Sequence, residues 1–191
     1  ATQEGVGNYQ IPTHGGQRMS SSRAYLWPIK GRKNLTIIKN ALASRVLIKD
    51  KKAYGIEYLK SGKKQQVFAD CEVILSAGSI NSPHLLQLSG VGPKNTLKQA
   101  SVSIVHESPA VGENLQDHLG VSYFYKSKVP TLNDQLRPLI GKIYQGLRYI
   151  CARTGPLSLS VNQSGGFIRT RDTLEKPNIQ LYFSPVSYSL E

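Results

Sequence analysis

Acidic residues, sulfur-bearing residues and long apolar runs are all scarce in this chain of 191 residues. Twelve Asp and Glu stand against 24 Lys and Arg, a formal net charge of +12. An excess of that size raises nucleic acid as a partner. The basic residues, however, fall in short turn-like clusters: Lys30-Gly31-Arg32-Lys33, Lys49-Asp50-Lys51-Lys52 and Gly62-Lys63-Lys64. No aromatics are interleaved with them, and no zinc-finger or RNA-binding signature accompanies them. They read as solvated turns, so no nucleic-acid partner is expected. No window reaches the roughly 18 consecutive apolar residues of a membrane span, and no transmembrane segment is expected. The expected location is cytoplasmic, with association at a membrane surface left open. The two cysteines, Cys71 and Cys151, are isolated in apolar contexts and are expected to be buried free thiols. Their spacing matches no metal site. The single methionine is Met19, the chain starts with Ala1, and no basic-then-apolar leader is seen. With a strand-like run at Asn178–Phe183 near the last residue, this reads as an internal piece of a longer protein.

What is present is globular in character. Apolar residues make up 39% and Leu, Ile, Val and Tyr are spread throughout, which excludes a disordered chain. The length suits one domain or parts of two. After some thirty Gly-, Ser- and Thr-rich residues that read as loop, strand signals follow at Leu35–Lys39, Ala43–Lys49, Gly55–Leu59 and Gln66–Ala69. Asp50-Lys51-Lys52 and Lys60-Ser61-Gly62-Lys63 are hairpin connections, giving a β-meander.

Glu72–Ala77 is a continuous apolar run without alternation, the pattern of a strand buried on both faces in a parallel sheet. A helix follows, with Ser82 as cap, Pro83 in the first turn and Gly90 as its end. Pro93 opens a second short helix, and Val102–His106 is extended. The clearest helical period is Gln135–Cys151, where Leu136, Leu139, Ile140, Ile143, Leu147 and Ile150 form a core-facing stripe. Pro138 is tolerated there as a first-turn residue. Gly165–Thr170 and Asn178–Phe183 read as strands.

The unit from Glu72 to Gly92 carries the functional signal. A buried strand ending in Ser76-Ala77-Gly78 brings backbone to the carboxyl edge of a sheet, where open α/β sheets bind ligands. The same residues also make an ordinary tight turn. The stretch Gly78-Ser79-Ile80-Asn81-Ser82-Pro83-His84-Leu85-Leu86-Gln87-Leu88-Ser89-Gly90-Val91-Gly92 resembles the second signature of the glucose–methanol–choline (GMC) oxidoreductase family from end to end. Arg32-Lys33-Asn34-Leu35-Thr36-Ile37 is similar to the family's "R-x-N-L-x-V" strand. Pro109-Ala110-Val111-Gly112-Glu113-Asn114-Leu115-Gln116-Asp117-His118 is similar to its "P-G-V-G-x-N-L-Q-D-H" loop. Gly155-Pro156-Leu157 and Ile179-Gln180 also match bacterial-type members, the FAD-dependent alcohol and choline dehydrogenases.

The resemblance implies an α/β fold, α+β in part. Residues 1–118 would belong to a Rossmann-like FAD-binding domain, the start reaching into the other domain, and 119–191 to a substrate domain of antiparallel sheet and helices. It implies FAD as cofactor and oxidation of a primary alcohol to an aldehyde. A hydride would pass from the alcohol carbon to the flavin while a base takes the hydroxyl proton. Ala43 matches the place whose backbone meets the adenine, and is otherwise an ordinary strand residue. Ala77 and Gly78 match the small residues beside the adenosine and phosphate half. The G-x-G-x-x-G fingerprint and the catalytic base lie outside this chain, which alone is expected to be inactive. His14, His84, His106 and His118 are expected to be structural, and no metal is implied. Choline-oxidising relatives carry Glu where Gln163 stands. An uncharged residue there tilts the substrate from choline to a neutral alcohol, unless Gln163 only bonds to neighbouring backbone. Choline oxidation within the family, and a non-enzymatic basic β-rich binding module, remain the alternatives. The electron acceptor (quinone, another carrier or oxygen) is undecided.

Overall fold

The computed structural model describes residues 3–160 and 162–186. Three short strands come first, β1 Gly5–Asn8, β2 Thr13–His14 and β3 Gln17–Arg18, then a π-helical turn Ser22–Leu26 running into α1 Trp27–Ile29. The meander follows as β4 Ala41–Lys49, β5 Lys52–Lys60 and β6 Lys63–Phe68. Next come α2 Gly78–Leu88, β7 Val91–Gly92, α3 Lys94–Gln99 and β8 His106–Glu107. The chain continues through α4 Leu132–Leu136, α5 Leu139–Ala152 and a 3-10 turn Pro156–Ser158, to β9 Ser164–Ile168 and β10 Ile179–Phe183. Two compact units result: Thr36–Gly120, and Ala1–Leu35 together with Val121–Glu191.

The first unit is built on the antiparallel sheet β4-β5-β6. Its two hairpins are closed by residue pairs with positive φ, Asp50 (50°) with Lys51 (62°), and Ser61 (51°) with Gly62 (74°). This is the mirror-image turn whose twist suits adjoining strands. A bulge between Ala43 and Arg45 lets Ser44 donate its hydroxyl to the Glu57 carbonyl and carboxylate (3.2 and 3.1 Å). The buried apolar residues of the described chain are Val46, Leu47, Leu85 and Leu97, which place its core where β4, α2 and α3 meet. Gly90 ends α2 with φ +85°, and its carbonyl accepts the Val105 and His106 N–H groups. That leads into the parallel pair β7–β8.

The second unit holds the antiparallel sheet β1-β9-β10. The β2–β3 hairpin turns at Gly15 and Gly16, both with positive φ, and a side chain at Gly16 would run into the Arg153 carbonyl at the end of α5.

Several expectations are corrected here. Leu35–Lys39 and Glu72–Ala77 form no strand; Ile37, Ile38 and Ile74 are exposed. Neither segment finds a neighbouring strand among the described residues, and an extended segment without a ladder is no strand. α2 starts at Gly78, with Ala77 as its cap and Pro83 inside it; Ser82 Oγ accepts the Ala77 N–H (3.0 Å). The helix expected over Gln135–Cys151 is two helices. Pro138, with ψ 142°, stands outside α5 as its cap, since its ring supplies no N–H to continue α4. The apolar stripe is not core: Leu139, Ile140, Ile143, Leu147 and Ile150 are all more than half exposed, while Gln145 is buried. Cys71 and Cys151 are free, as expected, but exposed rather than buried. Within the opening loop, the helical turns Ser22–Ile29 carried no sequence signal that was read.

Candidate functional site

The N-terminus of α2 is where the informative motif lands. Ala77 caps the helix, and Gly78 opens it with φ +89°, a conformation that disfavours any side chain. The first-turn N–H groups of a helix have no intrahelical acceptor and sit at the positive end of its dipole. A Cβ built on Gly78 meets nothing within 4 Å, so open space lies beside those donors.

The second motif forms the facing wall. Gln87 Nε2 donates to the Val111 carbonyl (3.0 Å), strapping the following turn onto α2. Gly112 has φ +86°, and a Cβ there would lie 2.6 Å from Gln87 Nε2. Between the walls is a cleft of about 240 Å³, lined by Ser79, His84 and Gln87 from α2 and by Gly112, Glu113 and Leu115 opposite. Two motifs separate in sequence therefore share one concavity, which sequence reading named singly and did not join.

Ala77 and Gly78 immediately precede Ser79, the first residue of α2 to line the cleft, and do not line it themselves; the other candidates are placed elsewhere. Ala43 lies exposed on β4, paired with Tyr58 beside the Ser44 bulge, and does not line the cleft. Gln163 belongs to the other unit, is half-buried, and its carbonyl accepts the Tyr9 N–H (2.9 Å). Of the histidines, His84 borders the cleft, His14 and His106 lie in short strands, and His118 follows the second motif. Among the described residues no group of three or more His, Cys, Asp or Glu could hold a metal, and no helix is long and apolar enough to cross a membrane.

An ion pair flanks the β1–β9 pairing of the second unit. Arg169 meets Glu4 through Nε (2.8 Å), Nη2 (2.7 Å) and its backbone N–H (3.2 Å). These bonds hold the Glu4 carboxyl below the ordinary carboxylate value and raise Arg169. At the start of α4, Asp134 accepts from the Thr131 N–H and hydroxyl, which lowers its carboxyl likewise.

The family model described as GMC oxidoreductase matches residues 1–120, spanning the α2 motif and the strapped loop. The chain belongs to the GMC oxidoreductase family. An oxygen-dependent choline dehydrogenase of Photobacterium profundum is 47% identical over 186 residues, 97% of this chain and 33% of the relative. An alcohol dehydrogenase [acceptor] of Pseudomonas putida is 43% identical over 188 residues, 97% of this chain and 34% of the relative. Among solved GMC-like folds, an FAD-dependent oxidoreductase from Chaetomium thermophilum superposes with a TM-score of 0.78 at 26% identity, over 87% of this chain and 30% of its own. Pyridoxine 4-oxidase from Mesorbium loti gives 0.74 at 27% identity, over 95% of this chain and 32% of its own. This GMC chain thus spans about a third of the length of the curated relatives it matches.

Proposed function

We propose that this chain is a segment of an FAD-dependent GMC enzyme that oxidises the CH–OH group of a neutral primary alcohol to an aldehyde. The observation that carries the reading is the cleft along α2, lined by both family motifs from Ser79 to Gln87 and from Gly112 to Leu115, with open space at Gly78 at the head of the same helix. The first-turn N–H donors of α2 and Gly78 suit a phosphate-bearing cofactor: the helix terminus favours negative charge, and the missing Cβ lets it come close. Ala77 and Gly78 would hold the adenosine and phosphate half of FAD, and the Ala43 backbone would meet its adenine. Bound FAD supplies the two-electron acceptor. The chain's own residues bind and orient; the proton acceptor is assigned to none of them.

Of the two units, Thr36–Gly120 and Ala1–Leu35 with Val121–Glu191, the first would serve the cofactor side and the second the substrate side. On the substrate side Gln163 offers an amide where a carboxylate would favour a quaternary ammonium. Choline is the second reading, because relatives of this chain include choline dehydrogenases. Quinone, another carrier or oxygen would reoxidise the cofactor.

The test uses the full-length protein. Yellow flavin absorbance should co-purify with it, and anaerobic addition of a primary alcohol should bleach that band. A colourless, flavin-free protein would favour a basic binding module with no enzymatic role.

A further inference from the structure

A second concavity, of about 250 Å³, lies within the unit that holds the sheet β1-β9-β10. In a chain of 36 charged residues, 24 basic and 12 acidic, none of the residues lining it is charged. Tyr9 and Tyr182 supply two rings, with centroids 5.7 Å apart and planes tilted by 54°. Ser160, Asn162 and Gln180 supply hydroxyl and amide groups.

Tyr9 is fixed before any ligand arrives. Its N–H donates to the Gln163 carbonyl (2.9 Å) and its hydroxyl to the Leu181 carbonyl (2.6 Å), so it is tied to both neighbouring strand segments. Its ring meets the edge of Phe167 at 6.4 Å and 71°. It lies directly over Gly165, where any Cβ would collide with the phenol and with the Leu181 carbonyl. The hydroxyl proton is already engaged, so what Tyr9 offers a ligand is ring surface and an oxygen that can only accept.

We infer that this pocket is the subsite for the non-reacting part of an uncharged substrate with a planar or apolar tail, and that Tyr9 is a specificity-determining residue. The inference rests on the alcohol-oxidising reading and deepens it. Rings and apolar side chains receive the tail, while the amides of Asn162 and Gln180 bond a neutral polar substituent. A cationic tail would be attracted by the two ring faces but would find no countercharge, and the choline arm of the experiment separates it from a neutral one.

The experiment compares benzyl alcohol, ethanol and choline as substrates of the full-length holoenzyme, with wild type, Tyr9→Phe and Tyr9→Leu. Tyr9→Leu should raise KM for benzyl alcohol about tenfold relative to that for ethanol, with kcat for the two changed in parallel. Tyr9→Phe, which keeps the ring, should restore the discrimination. Equal KM changes for both alcohols, a loss confined to kcat, or the largest KM effect on choline would overturn the inference. If Tyr9→Leu fails to retain flavin, Tyr182→Leu on the other wall gives the same readout. A wild type that turns over no alcohol refutes the activity reading instead. The pocket is then judged by saturation-transfer NMR with benzyl alcohol: a wild-type signal lost in the Leu variant supports it, and equal signals overturn it.

Discussion

Ser89 and Val46, 43 positions apart, are joined by a buried hydrogen bond of 2.8 Å from the Val46 N–H to the serine Oγ. The same hydroxyl donates to the Leu85 carbonyl at 2.6 Å. One side chain thus finishes the last turn of α2 and satisfies a backbone donor of β4 that no neighbouring strand reaches.

Ser89→Ala should leave the Val46 N–H without a partner at a site where Ser89 is only 2% exposed. A loss of about 1–3 kcal/mol is expected for an unsatisfied buried donor. Chemical denaturation of the full-length protein measures it; an unchanged midpoint and slope would refute the role.

Gly78→Ala and Gly112→Ala should fail for different reasons. Gly78 has open space but φ +89°, so alanine costs about 1–2 kcal/mol of backbone strain and narrows the approach to the helix donors. Gly112 combines positive φ with a collision against Gln87 Nε2. Shortening the partner in Gly112→Ala/Gln87→Ala should recover part of the Gly112→Ala defect, whereas Gln87→Ala should not rescue Gly78→Ala. Flavin content after purification and FAD affinity on reconstitution are the readouts, and rescue of both glycine variants alike would contradict the account.

The Glu4–Arg169 pair predicts an acid limb to stability. Its bonds hold the Glu4 carboxyl below the ordinary carboxylate value in the folded chain. A depressed folded value contributes stability that is fully present above the unfolded value and is lost as pH falls through the folded one. Glu4→Gln should therefore lower Tm at neutral pH, and the gap to wild type should close as pH falls below the ordinary carboxylate value. Added salt should narrow the gap too, because both groups are solvent-accessible. A gap that is constant with pH would show that the charge is irrelevant.

Gln163→Glu tests the substrate side. In the full-length enzyme the wild type should show higher kcat/KM for a neutral primary alcohol than for choline, and the Glu variant should shift the ratio towards choline by about tenfold or more. A wild-type preference for choline would make choline oxidation the better reading.

Local chemistry made some of this legible from sequence. The meander could be read because β-branched runs are separated by Asp50-Lys51 and Ser61-Gly62, residues suited to tight turns. Gly90 marked the end of α2 because only a residue tolerant of positive φ fits there. Glu72–Ala77 and the α5 stripe show the limit of such reading: apolar patterning reports what a segment is suited to bury, and the described residues give these segments nothing to bury against. At Pro138, tolerance in a first turn and exclusion from a helix differ by one position, which apolar patterning does not resolve. The contact of Tyr9 with Gly165 spans 156 positions, from 9 to 165. The Gln87–Val111 strap spans 24. No periodicity encodes such pairs.

Helix α5 also bears on how the polypeptide must be handled. Its five aliphatic side chains from Leu139 to Ile150 face water, while Gln145 is the buried residue of the helix, with Oε1 lacking a hydrogen-bond partner. Contiguous apolar surface of this kind promotes self-association. Produced alone, this stretch of polypeptide should require low concentration or a holdase chaperone to stay dispersed. Its turbidity on warming should fall when Ile140 and Leu147 are exchanged for lysine.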